Sequence, residues 1–190
     1  MIKIKVIILL FFSLFSFSVF AEDITDFQIE GISIGDSALD HFSKKEINSG
    51  NDFFYKNKKY YGTYIKINSE QYDALQFHFL KGDVDYIIHG IGGTKLFRYN
   101  IKDCYPKIDE IVSEISNLFE SVKFQKKRKA KHMGDTSGKS MVTDVWFTFK
   151  DGAQGFVGCY DWSKEKGHFD DLRIVLNSLQ LTKWMEIAHN

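Results

Sequence analysis

The clearest periodic pattern in the chain is a run of apolar residues at three- and four-residue spacing between about 106 and 121. This spacing places apolar side chains on one face of an α-helix. Pro106 suits the first helical position, because its missing N–H has no intrahelical partner there. The pattern predicts an amphipathic helix that packs across a sheet through Ile108, Ile111, Val112, Ile115, Leu118, Phe119 and Val122.

Alternation of apolar and polar residues predicts strands before this helix. The segments are Tyr60–Ile67, Ala74–Leu80 and Val84–Gly90. Gly82 and Asp83 separate the last two and are typical of a two-residue hairpin turn. The predicted register places Phe77 opposite Ile88 and Phe79 opposite Tyr86.

A second group of strands follows the helix. Val142–Lys150 and Ala153–Tyr160 flank Asp151 and Gly152, another strong turn signal, and Leu172–Leu176 alternates again. The predicted register pairs Phe147 with Phe156 and Trp146 with Val157.

Three shorter elements complete the expected fold. Phe27–Ile34 is predicted as a strand, and short helices are expected near 37–48 and 179–188, where Ser37 or Asp36 and Ser178 are natural N-caps. Antiparallel runs of strands with helices between the runs indicate an α+β fold rather than a parallel α/β sheet. One proline and no linker-like stretch predict a single domain over residues 22–190.

The N-terminus has the features of a cleavable secretion signal at residues 1–21. Lys3 and Lys5 precede a short apolar run, and Val19 and Ala21 supply the small-residue pattern of a cleavage site. The run is shorter than a membrane span requires, and no later stretch is long and apolar enough to be one. We therefore expect a periplasmic or secreted protein, with an uncleaved anchor as the alternative.

Charge and cysteine content refine this expectation. The whole chain has 25 basic and 25 acidic residues, and removal of the signal takes two lysines, leaving a net charge of −2. Such a balance argues against a nucleic-acid binder. In an exported chain, Cys104 and Cys159 are a candidate disulfide, since they are the only two cysteines.

Ser37 lies in the most suggestive motif, Gly35-Asp36-Ser37, which resembles the nucleophile block of the GDSL-type serine hydrolases. The resemblance implies a serine nucleophile activated by a histidine. The chain departs from that family, because no aspartate stands three residues before any histidine. A turn and helix cap explains the same residues, so the hydrolase is retained only as an alternative function.

Residues 123–132 form a basic run with two interpretations. It is either a solvated strand whose lysines prevent edge-to-edge pairing, or a patch for an anionic envelope surface or an envelope protein. Only Phe124 accompanies these charges as an aromatic, which disfavours nucleic acid. The candidate patch comprises Lys123, Lys126, Lys127, Arg128, Lys129 and Lys131.

Two further motifs have less support. The predicted hairpin places His78 and His89 on one face with Asp85, a metal-ligand set if the turn is as expected. The glycine-rich stretch 90–94 matches no nucleotide fingerprint and is expected to be a flexible loop or a bulge. We therefore predict no cofactor and no metal, with metal binding as an alternative.

Segments 27–47, the helix entered through Cys104, and 158–162 are similar to a group of small exported bacterial proteins. That resemblance implies export and the cysteine pair, and no activity. In layout the chain also resembles lactamase-inhibitor-like binders and envelope-assembly subunits, an associational comparison. In the absence of a complete catalytic set, we expect a non-catalytic binding or accessory protein.

Overall fold

The structure, a computed structural model, describes residues 23–54, 59–98 and 100–188. The helices are α1 (Lys44–Asn48), α2 (Cys104–Leu118) and α3 (Leu179–Ala188). The strands are β1 (Asn51–Phe54), β2 (Tyr60–Lys66), β3 (Ala74–Leu80), β4 (Gly90–Leu96), β5 (Lys123–Phe124), β6 (Arg128–Lys131), β7 (Met141–Thr148), β8 (Gln154–Asp161) and β9 (Asp171–Asn177).

Within the described residues, all nine strands belong to one antiparallel sheet. The strands before α2 form one half in the order β1-β2-β3-β4, and those after α2 form the other in the order β9-β8-β7-β5. Strand β6 also pairs with β7, and the pairing of β4 with β9 joins the halves. The predicted α+β class is confirmed.

Helix α2 lies on one face of this sheet, against β7 and β8. Its Cys104, Ile108 and Ile115 are buried, as the apolar pattern requires. Leu118, which the same pattern predicts to pack on the sheet, is instead exposed at the last position of the helix. A disulfide joins Cys104 to Cys159 of β8, with their Cα atoms 6.0 Å apart. Both the helix and the disulfide are confirmed, although the helix begins two residues before and ends three residues before its predicted bounds.

The short helices also form where expected. Ser37 caps a 3₁₀ turn at Ala38–Asp40 by accepting a hydrogen bond from the amide of Leu39, and α1 follows within the predicted segment. Ser178 Oγ accepts from the amide of Leu181 at the start of α3. Helix α3 covers part of the sheet face opposite α2, where Tyr60, Leu181 and Trp184 form a buried cluster.

The strand predicted at Phe27–Ile34 is wrong. A 3₁₀ turn (Ile24–Asp26) comes first, and Ile29 and Ile32 then close a tight turn through two mutual backbone hydrogen bonds. Glu30 and Gly31 occupy this turn with positive φ angles of 54° and 75°, which suit glycine at the second position. Ile29 and Ile32 are buried, and buried apolar residues in a turn can resemble the apolar positions of a strand in the sequence.

The hairpin predicted between β3 and Val84–Gly90 is also wrong. The Asp83 carboxylate accepts hydrogen bonds from the amides of Asp85 and Ile87, which stabilise a loop over residues 81–89. The glycine-rich stretch, expected to be a loop, forms most of β4 instead, and Phe77 pairs with Ile91 rather than Ile88.

The second hairpin forms, but its predicted register is wrong by one residue. Phe147 pairs with Gly155, and Trp146 pairs with Phe156. The turn is longer than the two residues assumed, because Phe149 and Ala153 still share a backbone hydrogen bond across it. The one-residue shift changes which residue of β8 lies opposite each residue of β7.

No helix among the described residues is long and apolar enough to cross a membrane. The predicted secretion signal at 1–21 lies outside the described residues.

Candidate functional site: the open face of the sheet

The sheet face opposite α2 carries an unusual set of polar and aromatic side chains outside the area covered by α3. We call the part of this face on β6–β9, together with Trp162, the open face. Its aromatic side chains are half-buried, whereas two of its carboxylates are buried. Register places these residues on one face of the sheet: Arg128, Asp144, Trp146, Phe156, Tyr160, Asp171 and Arg173.

The first polar unit of the open face is centred on Asp144 of β7. Its carboxylate accepts two hydrogen bonds from Arg128 of β6, at 2.7 Å from Nε and 3.1 Å from Nη2. The indole N–H of Trp146 donates to the same carboxylate at 3.2 Å. The bond to Asp144 raises the pKa of Arg128, and the guanidinium stays charged. The buried carboxylate therefore fixes an arginine and a tryptophan at the surface.

The second unit repeats this arrangement on β9. Asp171 accepts from Arg173 at 2.6 Å from Nε and 3.1 Å from Nη2, and from the Trp162 indole N–H at 3.0 Å. Burial disfavours the charge on Arg173, but hydrogen bonding and attraction to Asp171 outweigh it and raise the pKa of the guanidinium. Each unit thus has one buried aspartate, one bidentate arginine and one tryptophan.

Tyr160 of β8 lies between the two units, on the strand that separates β7 from β9. The guanidinium carbon of Arg173 lies 4.1 Å from the centroid of its ring, and Trp162 stacks beside it at 6.0 Å. The ring centroids of His132 and Trp162 are 4.5 Å apart, so His132 belongs to the same cluster. Burial raises the pKa of Tyr160 to about 12, so its hydroxyl stays protonated at neutral pH. On the other side, Trp146 packs on Phe156 at 4.9 Å.

A groove begins at this cluster and crosses the middle of the sheet. One cavity of about 400 Å³ lies between Arg173 and Trp162, and a second of about 750 Å³ extends to Tyr64 of β2. Thr94, Leu96, His168 and Phe169 line both cavities. The loop that follows Trp162 therefore forms one wall of the groove, and the sheet forms its floor.

The structure separates the candidate basic patch. Lys127 pairs with Asp109 of α2, and Arg128 belongs to the first unit on the open face. Register places Lys129 and Lys131 of β6 on the α2 side of the sheet, away from Arg128. Lys123 and Lys126 are exposed, and Lys123 lies opposite Thr148 of β7. The run thus forms an interrupted outer strand pair along β7, and Arg128 is the one residue of the candidate patch that takes part in the candidate site.

Ser37 has none of the contacts of a catalytic serine in the described residues. Its hydroxyl donates to the backbone carbonyl of Asp85 and accepts from the amide of Leu39. His41 lies 3.8 Å from Asp36, and no described hydrogen bond joins a histidine to Ser37. The interactions of Ser37 cap a turn and join it to the loop before β4.

The rings of the two histidines in the metal hypothesis each contact another side chain. His78 is buried on β3 with the Gln76 amide nitrogen 3.1 Å from its Nε2, whereas the His89 ring packs against Tyr60. Asp85 lies exposed in the loop between β3 and β4. Among the described residues, no three histidine, cysteine or acidic side chains are grouped closely enough to hold a metal ion.

Sequence reasoning missed the open face almost entirely. The available signal was the alternation of acidic, basic and aromatic residues with apolar ones after residue 140. Asp144 and Trp146 alternate with Val145 and Phe147, and Arg173 lies between Leu172 and Ile174. The polar positions of each strand share a face. Their convergence across four strands required the register.

No family model, curated protein or solved structure matches this chain.

Proposed function

We propose that the chain is an exported, non-catalytic binding protein and that the open face holds a protein partner. The observation that carries this proposal is the pair of Arg–Asp–Trp units around Tyr160. Tryptophan, tyrosine and arginine are the residues that dominate the binding energy of protein interfaces. Here they are grouped on one surface, where Trp146, Tyr160, Trp162 and Arg173 are half-buried and Arg128 is exposed.

The rigidity of these side chains supports the same role. Each arginine is held by two hydrogen bonds to a buried carboxylate, and each tryptophan by one. A side chain already fixed in the free protein loses little conformational entropy when a partner binds. This arrangement also leaves the aspartates paired, so docking does not bury an unpaired charge.

Export is the second element of the proposal. The disulfide between Cys104 and Cys159 is consistent with an oxidising compartment such as the periplasm. The net charge of −2 over residues 22–190 disfavours a nucleic acid, and an envelope protein is the proposed partner.

The test compares two apolar truncations, one at a half-buried site of the open face and one at an exposed loop site. Phe156→Ala alters the open face without removing a hydrogen bond, whereas Val84→Ala alters an exposed residue of the loop before β4. Residues 22–190, with the disulfide formed, would be used to capture a partner from envelope extract. The affinity of the purified partner would then be measured for each variant.

We expect Phe156→Ala to weaken binding by roughly tenfold or more, as for an interface residue worth over about 1.4 kcal/mol. Val84→Ala should leave the affinity unchanged, and both variants should keep the wild-type melting temperature within a few degrees. Equal affinities would refute the assignment to the open face. Ester hydrolysis that disappears in Ser37→Ala would refute the non-catalytic role.

A further inference from the structure

A third cavity lies on the other face of the sheet, beneath the C-terminal half of α2. It has a volume of about 250 Å³ and is separate from the groove of the open face. Phe27, which follows the first 3₁₀ turn, forms one side, and Ile111, Ile115 and Leu118 of α2 form the other. Ile174 of β9 lies at the floor.

The walls of this cavity are held by packing. Phe27 stacks on Phe119 with ring centroids 5.7 Å apart and an angle of 13° between the planes. Tyr72 lies directly over Gly93 of β4, where a Cβ atom would come within 2.4 Å of the ring. Because Gly93 leaves this space, the tyrosine packs against the sheet, where it lines the cavity.

The charge around the cavity has a single sign. Asp26 and Glu114 line it, together with two glutamines, and none of the described residues lining it is lysine, arginine or histidine. Burial, followed by the charges of Glu30 and Glu114, raises the pKa of Tyr72 to about 12. The cavity thus combines an apolar interior with carboxylates.

We propose that this cavity binds a small organic cation, with an aliphatic or aromatic group inside and an ammonium group beside Glu114 and Asp26. The apolar walls favour burial of the hydrocarbon part. The carboxylates attract the ammonium group and repel an anion of the same shape. The rings of Tyr72 and Phe27 add a face on which a cation is favourable. This site is independent of the partner proposed for the open face.

The test uses three probes of similar shape and different charge: phenethylammonium, 2-phenylethanol and 3-phenylpropionate. Binding would be followed by chemical-shift changes in the ¹H–¹⁵N NMR spectrum of the oxidised protein. We expect the ammonium probe to bind most tightly and to shift the amides of Ile111, Ile115 and Phe27. The alcohol should bind more weakly, and the carboxylate should cause no shifts at these residues.

Matched variants separate charge from shape. Glu114→Gln should weaken binding of the ammonium probe roughly fivefold, which is the upper range for an exposed ion pair. The affinity for the alcohol should not change. Glu110→Gln, one turn earlier on α2, should change neither. Leu118→Trp, at an exposed position of the cavity wall, should block both probes while the chain stays folded. Phe156→Ala on the open face should have no effect.

Two results would overturn the proposal. One is the absence of ammonium-induced shifts at the cavity residues in wild-type protein at 10 mM probe, roughly the affinity limit of small fragments. The other is binding of 3-phenylpropionate as tight as that of phenethylammonium, since a site selected by its carboxylates must discriminate between them.

Discussion

Arg173 uses its guanidinium group in two ways: it forms two hydrogen bonds with Asp171, and its central carbon lies 4.1 Å from the centroid of Tyr160. The edge of the group therefore satisfies a buried acid, while its face covers an aromatic ring. Lysine cannot do both, because its ammonium is not planar and forms no bidentate fork. The open face depends on this geometry for its shape as well as its charge.

Arg173→Ala is expected to destabilise the fold by about 3 kcal/mol, because it leaves the buried Asp171 carboxylate without its counter-charge. Urea unfolding at neutral pH measures the loss. Arg98→Ala is the control, since Arg98 is exposed and lies over Phe169 without a described acidic partner. It should cost less than about 1 kcal/mol. Equal losses would contradict a structural role for the Arg173–Asp171 pair.

Loss of the disulfide is expected to be the largest of these effects. Cys104 and Cys159 are 55 residues apart, and closing a loop of that length in the unfolded chain corresponds to roughly 4 kcal/mol. The double variant Cys104→Ser/Cys159→Ser should therefore unfold at a much lower denaturant concentration. Wild-type protein treated with reductant should shift in the same direction. Unchanged midpoints would show that packing alone holds α2 on β8.

Stability should rise with pH across the titration of His78. Burial lowers the pKa of His78 to about 4 in the folded protein from 6.5, so the unfolded chain binds the proton first as pH falls. The contribution of His78 to the free energy of unfolding is therefore fully present above pH 6.5. It is lost progressively as the pH falls towards 4, by up to about 3 kcal/mol.

Burial also lowers the pKa of His89 and of His132, which add smaller contributions in the same direction. The comparison is therefore between wild type and His78→Gln, with unfolding curves at pH 4 and pH 7.5. In His78→Gln, the free energy of unfolding should differ much less between pH 4 and pH 7.5 than it does in the wild type. An identical pH dependence in both proteins would mean that His78 does not cause it.

Strand β4 should behave as part of the sheet centre, in contrast to the loop expected for its glycines. The amides of Ile91 and Gly93 should be among the slowest to exchange with solvent. In Gly92→Ala, the new Cβ would lie 2.8 Å from the Ile174 carbonyl oxygen, and we expect a cost of about 1–3 kcal/mol. Gly134→Ala, in an exposed loop where the new Cβ would lie 3.0 Å from the His132 side chain rather than from backbone, should cost less than Gly92→Ala.

The lysines of β6 should protect the sheet from edge pairing. Exposed edge strands tend to pair with other chains, and lysine side chains oppose this. Lys129→Thr/Lys131→Thr is therefore expected to self-associate with increasing concentration in sedimentation experiments. Lys45→Thr/Lys164→Thr makes the same change of charge away from the edge and should stay as the wild type. A β6 variant that behaves like this control would argue against edge protection.

The sequence by itself determined the features that depend on neighbouring residues. The apolar spacing over 106–121 specified the face that α2 buries, and alternation identified β2, β3, β7, β8 and β9. Two cysteines in the chain left a single possible pairing, and the structure has it. The caps at Ser37 and Ser178 could be predicted from the sequence, because each serine side chain bonds to a backbone amide at most three residues away.

Only the tertiary structure decided the rest. Glycines carry no apolar pattern, so β4 has no strand signal in the sequence. Its strand conformation comes from pairing with β3 and β9, and neighbouring side chains occupy the space beside its glycines. A turn one residue longer than assumed set the register of β7 and β8. Arg128 bonds to Asp144, which is 16 residues further along the chain, and the two Arg–Asp–Trp units lie on either side of Tyr160 only because four strands align. Contacts between distant segments follow from the global packing of the sheet, which no local pattern encodes.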